Sequence, residues 1–134
     1  KNSLVLVRFA QGWGKLKINR SVTGEPLSIG GAVFKRGLGT HARSYIRLRA
    51  LAPASHLQGA YGINDGERCG GAIFRIRTVQ RKVLFESTLI QQGQPARTFS
   101  VPIHAGQDLI LEVMTPAGNP RAHADWVDLQ LVQS

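Results

Sequence analysis

Histidine, carboxylate and indole side chains gather in two short strings of this sequence, Gly37-Leu38-Gly39-Thr40-His41-Ala42 and His123-Ala124-Asp125-Trp126. Each string sets a histidine beside small residues, at the edge of a strand-like stretch. Small residues leave room for something to approach the backbone closely. Imidazole, carboxylate and indole groups either bind polar ligands or lock a corner of a fold together.

Catalysis is the first chemistry to weigh. Glycoside hydrolysis uses two carboxyl groups ~5–9 Å apart. The close pairs in this sequence are Asp65 with Glu67, in a turn, and Asp125 with Asp128, straddling the start of a last strand. No Gly-x-Ser-x-Gly elbow marks a nucleophile. No convincing acid/base pair emerges, and the chain reads as a non-enzyme.

Metal chemistry comes next. There is no His-x-x-x-His pattern and no cysteine pair, since Cys69 stands alone and can form no internal disulfide. The turn Asn64-Asp65-Gly66-Glu67 carries the oxygen donors that calcium prefers. A structural calcium in this turn therefore stays open, with no cofactor certain and no metal ligand set assigned.

Sugar binding fits these residues best. A sugar presents hydroxyls in fixed directions and apolar C–H patches. Planar side chains with paired hydrogen bonds, together with an aromatic ring, match both. His41, Arg43, Asn64, Asp65, Glu67, Arg68, Asn119, Arg121, His123, Asp125 and Trp126 are the candidate carbohydrate-binding residues. Most read as loop or strand-edge positions, where binding groups on a rigid sandwich sit. An architectural reading stays open for several of them. Trp126 can serve as a core anchor, and Asp125 can bond His41 or backbone amides.

These groups need elements to position them. Tyr45-Ile46-Arg47-Leu48-Arg49 alternates, sending Ile46 and Leu48 inward and Arg47 and Arg49 outward. The segment 72–78 repeats the device, with Phe74 and Ile76 on one side and Arg75 and Arg77 on the other. Further strands are read at 3–8, 83–87, 98–101, 109–113 and 126–131. Turns at Gly30-Gly31, Asn64-Asp65-Gly66, Gly70-Gly71 and Gly93-Gln94-Pro95 separate such runs and leave no room for a long amphipathic helix. Many short strands between such turns predict an antiparallel sandwich or barrel.

The 134 residues, 43% of them apolar, fit one globular domain, 1–134. No apolar run approaches the ~20 residues of a membrane helix, and no signal-peptide pattern opens the chain. A formal net charge of +9 fits either a solvated surface or attraction to polyanions.

The strings and their surroundings resemble the NPCBM family, carbohydrate-binding module family 51. The match runs in order from Gly12-Trp13-Gly14 through Pro26-Leu27-Ser28-Ile29-Gly30-Gly31, the Gly37 string, Tyr61-Gly62-Ile63-Asn64-Asp65 and Gly71-Ala72-Ile73-Phe74. It continues through Leu84-Phe85-Glu86-Ser87 and the His123 string to Asp128-Leu129-Gln130-Leu131. The resemblance implies an all-β, two-sheet β-sandwich of jelly-roll type. It also implies a non-catalytic module that carries a glycoside hydrolase to a galactose-containing glycan, secreted or at the cell surface, with His41 and His123 on a shared rim.

The sequence departs from the family's pattern at that rim. Both acids usual ahead of the His-Ala-Asp-Trp string are gone from Thr115-Pro116-Ala117-Gly118-Asn119-Pro120-Arg121, and Arg43 follows the Gly37 string. A more basic rim points toward an anionic glycan and counts against calcium in that loop. Two rival readings remain. One is an interaction or structural domain that has lost its sugar. The other is a polyanion or nucleic-acid binder using Arg47, Arg49, Arg75 and Arg77 as a basic strand face, with Tyr45 as the one aromatic candidate among them.

Overall fold

The computed structural model describes residues 4–11, 16–66, 70–116 and 122–133. Its strands in chain order are β1 (Leu4–Gln11), β2 (Lys17–Ile18), β3 (Leu27–Ile29), β4 (Ala32–Phe34), β5 (Gly37–His41) and β6 (Ser44–Ala50). They continue with β7 (His56–Ile63), β8 (Ile73–Thr78), β9 (Val83–Glu86), β10 (Arg97–Pro102), β11 (Asp108–Met114) and β12 (His123–Val132). One sheet runs β1-β6-β11-β8-β9 and the other β10-β7-β12-β5-β2, with β3-β4 as a separate hairpin. The strand pairs are antiparallel. The architecture is the all-β, two-sheet sandwich expected from the turn spacing and the resemblance.

Alternation decides which side of each strand meets the core. In β6, Ile46 and Leu48 are buried between the sheets while Arg47 and Arg49 face out. In β8, Phe74 and Ile76 are wholly buried, and Arg75 and Arg77 stand on the outer face. Phe74 from one sheet meets Trp126 from the other edge-on, with centroids 5.2 Å apart. Tyr61, Phe85 and Phe99 complete this aromatic centre. Each such buried side chain contributes about 1.5–3 kcal/mol, and edge-to-face pairs add to this.

Three expectations change. The first strand runs to Gln11 rather than Arg8; it lies at a sheet edge, with Val5, Val7 and Phe9 exposed. The last strand begins at His123 rather than Trp126, because His123, Ala124 and Asp125 pair with His41, Thr40 and Gly39. Asp125 and Asp128 therefore lie in one strand, at whose register shift Asp128 takes a φ of 54°. A strand absent from the sequence reading, β7, pairs with both β10 and β12.

Candidate functional site

The two histidine strings meet as partner strands. His41 and His123 are directly opposite across β5 and β12, with ring centroids 5.2 Å apart. His123 is buried, and His41 is half-buried with its Nδ1 2.5 Å from the Ala42 carbonyl oxygen. The small residues of the Gly37 string do admit a close neighbour, and it is the chain itself. A Cβ on Gly39 would collide with the backbone of Arg20 and Ser21, and one on Gly37 with the Trp126 carbonyl.

Beside the histidines lies a buried polar network. The Asn64 side-chain amide donates to Asp125 Oδ2 at 2.6 Å and to the Pro26 carbonyl at 3.2 Å. Asn64 Oδ1 accepts from the Gly66 amide at 2.8 Å, and the Asn64 backbone amide donates to the His123 carbonyl at 2.8 Å. Asp125 is fully buried, and its other oxygen, Oδ1, has no hydrogen-bond partner among the described residues. Burial, aided by the nearby Asp65 charge, pushes its carboxyl up to about 7 against the pull of Asn64 and the Ser28 amide.

Asp65 does different work. Its carboxylate accepts from the Ser28 hydroxyl at 2.6 Å, the Gly30 amide at 2.9 Å and the Gly31 amide at 2.7 Å. Gly30 and Gly31 take positive φ values of 56° and 88° in the β3–β4 turn, and Asp65 holds that turn against the sandwich. Burial raises its pKa, but the three donors outweigh this and hold it below the usual value. With those oxygens turned onto N–H and O–H donors, and Asn64 Oδ1 on an amide, Asn64 and Asp65 do not fit a calcium site. Among the described residues no three His, Cys, Asp or Glu side chains gather to hold a metal.

The candidate residues thus separate. His41 and Arg43 stand at the surface end of β5, half-buried and exposed respectively. Asn64 and His123, read as loop or strand-edge positions, are buried, and Asp125 and Trp126 take the architectural role left open for them, with Trp126 wholly inside the aromatic centre. Their placement follows from strand pairing: once His123 opens β12, the residues after it alternate between core and hairpin. Glu67, Arg68, Asn119 and Arg121 lie outside the described residues.

The arginine face also changes meaning. Arg47 and Arg49 both bind Asp108, at 2.5 and 2.7 Å. Arg75 bridges Glu86 and Glu112, and Arg77 binds Glu112 at 3.1 Å. The Arg49 hydrogen bond, joined by Arg47, keeps Asp108 below the usual carboxylate range despite burial. These are not free cations awaiting a polyanion. A cleft of about 670 Å³ opens on this outer face, lined among others by Arg43, Tyr45, Arg75, Glu86, Glu112 and Met114. Sequence reasoning met this face only as a rival basic surface with Tyr45 as its aromatic candidate, and did not foresee the carboxylates Glu86 and Glu112 in a cleft there.

Asp125 is sealed from solvent and Asp65 is engaged by three donors, so both carboxylates serve the architecture of this end of the sandwich. The chain belongs to the NPCBM/NEW2 domain family, whose profile matches residues 2–132. It is 36% identical over 133 residues to Alpha-1,3-galactosidase B of Akkermansia muciniphila, covering 96% of this chain and 16% of that protein. Its fold is shared with the CBM51-2 domain of Clostridium perfringens ZmpB in complex with GlcNAc, at a TM-score of 0.83 and 19% identity, covering 96% of this chain and 30% of that one. It is shared also with CBM51 from Clostridium perfringens GH95 in complex with methyl-galactose, at a TM-score of 0.81 and 19% identity over 96% and 94% of the two chains. This is a non-catalytic carbohydrate-binding module.

Proposed function

We propose that this module targets an attached glycoside hydrolase, secreted or at the cell surface, to a galactose-containing glycan. We place the sugar at the end of the sandwich where β5 leaves and β12 enters. The observation that carries the reading is His41, half-buried and seated on buried His123, next to exposed Arg43. His41 would hydrogen-bond a sugar hydroxyl, and Arg43 would bring a planar donor beside it. Asn64 and Asp125 support this end from beneath, and Asp65 fixes the adjoining hairpin. The relatives fit this role: this chain spans 16% of the galactosidase it matches, and the GH95 module was solved with methyl-galactose.

A second reading, an anionic glycan, is favoured by Arg43, which has no ion-pair partner among the described residues, and by Arg68 and Arg121 in the sequence. A glycan array probed at low and high salt separates the two. Neutral galactosides retained at high salt are the expected result. Sulfated or uronic glycans bound alone, and lost as salt screens charges over ~8–10 Å, would establish the anionic reading instead.

A further inference from the structure

The outer-face cleft has an order that its lining alone does not convey. Ala10, Tyr45, Glu112, Arg75 and Glu86 are successive cross-strand partners on β1, β6, β11, β8 and β9. They form one row across the whole sheet. At ~4.8 Å between strands, that row spans about 19 Å, longer than a single pyranose ring. Arg43 lies at the cleft's edge, two residues beyond His41, so the cleft adjoins the end of the sandwich where the terminal sugar is placed.

From this row we infer an extended subsite that binds further residues of a neutral glycan chain running from the His41 end across the outer sheet. Its volume, about 670 Å³, falls within the ~300–1,000 Å³ of ligand clefts. Tyr45, half-buried on the outer face, offers a ring surface to the C–H side of a pyranose. Arg75 is clamped by Glu86 at 2.8 Å and by Glu112 at 3.5 Å, so donors and acceptors stand side by side in fixed positions. Sugar hydroxyls both donate and accept, which suits such a pairing. An anionic residue would face Glu86 and Glu112 in the same row, and this selects a neutral chain.

The inference rests on the carbohydrate-binding reading of the module, and its test separates the two. The probes are methyl galactoside, a neutral galactose-containing tetrasaccharide such as lacto-N-tetraose, and its sialylated form, titrated by calorimetry and by amide chemical shifts. The neutral tetrasaccharide is expected to bind at least ~10-fold tighter than methyl galactoside, a gain worth about 1.4 kcal/mol. Shifts should appear at Tyr45, Arg75 and Met114. Tyr45→Ala should remove the gain, and so should Ala10→Trp, which fills the cleft from an exposed position. Equal affinity for the two neutral probes, with shifts confined to the His41 end, would overturn the subsite and leave the terminal site standing. Preference for the sialylated probe that depends on Arg43 would overturn the neutral assignment. Tetrasaccharide binding at the Tyr45 row without any methyl galactoside binding would uphold the cleft and overturn the His41 site. No binding of any probe would overturn both.

Discussion

Asp125 is the residue with the most unusual surroundings: fully buried, one oxygen held by Asn64, the other without a partner among the described residues. Its carboxyl, ordinarily near 3.8, titrates at about 7 in the fold. A folded-state pKa above the unfolded one means that the folded protein binds this proton more tightly. Stability from this site is thus greatest below about pH 4 and declines as pH rises toward about 7. Urea unfolding should show the wild type losing on the order of 2 kcal/mol between pH 5 and pH 8 through this group. Asp125→Asn, neutral at both values, should lack that part of the loss. An unchanged pH dependence in Asp125→Asn would show that the carboxyl is not protonated in the fold. Asp125→Ala leaves the Asn64 amide short of an acceptor and should cost about 1–3 kcal/mol.

At the scale of elements, the strands with clean alternation were legible. Arg-Leu-Arg and Phe-Arg-Ile-Arg runs tell inside from outside by themselves, and β6, β8 and β11 lie within a residue or so of their expected bounds. The seven-residue reading at 72–78 lost only Ala72. Strand β7 was hidden because His-Leu-Gln-Gly-Ala-Tyr-Gly-Ile lacks alternation and holds two glycines, which read as turn residues. The reason is tertiary: the Ile29 side chain packs where a Cβ on Gly62 would stand. Gly62→Ala should therefore destabilise the protein by about 1–3 kcal/mol through overpacking, measured by thermal or denaturant unfolding. The site was legible in its parts but not in its depth. Proximity of His41 and His123 could be anticipated, and a core role for Trp126 was open, whereas burial of His123 and Asn64 depends on a strand start that the sequence does not mark. Asp65 shows the same limit, since its partners Ser28, Gly30 and Gly31 lie far back in the chain. In Asp65→Ala the Gly30 and Gly31 amides should exchange faster, and native-state hydrogen exchange reads this directly. Unchanged protection there would show that Asp65 does not hold the turn.

Across the whole molecule, the net charge of +9 is a poor guide to partners, because Arg47, Arg49, Arg75 and Arg77 are tied to Asp108, Glu86 and Glu112. Attraction to nucleic acid is expected to be weak, to fade with salt and to be indifferent to His41. Under the proposed targeting role, the module would contribute local concentration at the polymer to an attached enzyme, rather than chemistry. Fused to a galactosidase, it should raise activity on a polymeric glycan and leave activity on an aryl galactoside unchanged. Equal effects on both substrates would contradict a targeting role.

The sugar site at the His41 end of the sandwich is put to proof by calorimetric titration of methyl galactoside into wild type, His41→Ala and Arg43→Ala. Loss of one or two hydrogen bonds to the sugar should weaken binding about 10-fold or more in His41→Ala, with the protein still folded at the temperature of the titration. Arg43→Ala should weaken it as well. Wild-type affinity in both variants, with the folded state intact, would place the sugar elsewhere on the module.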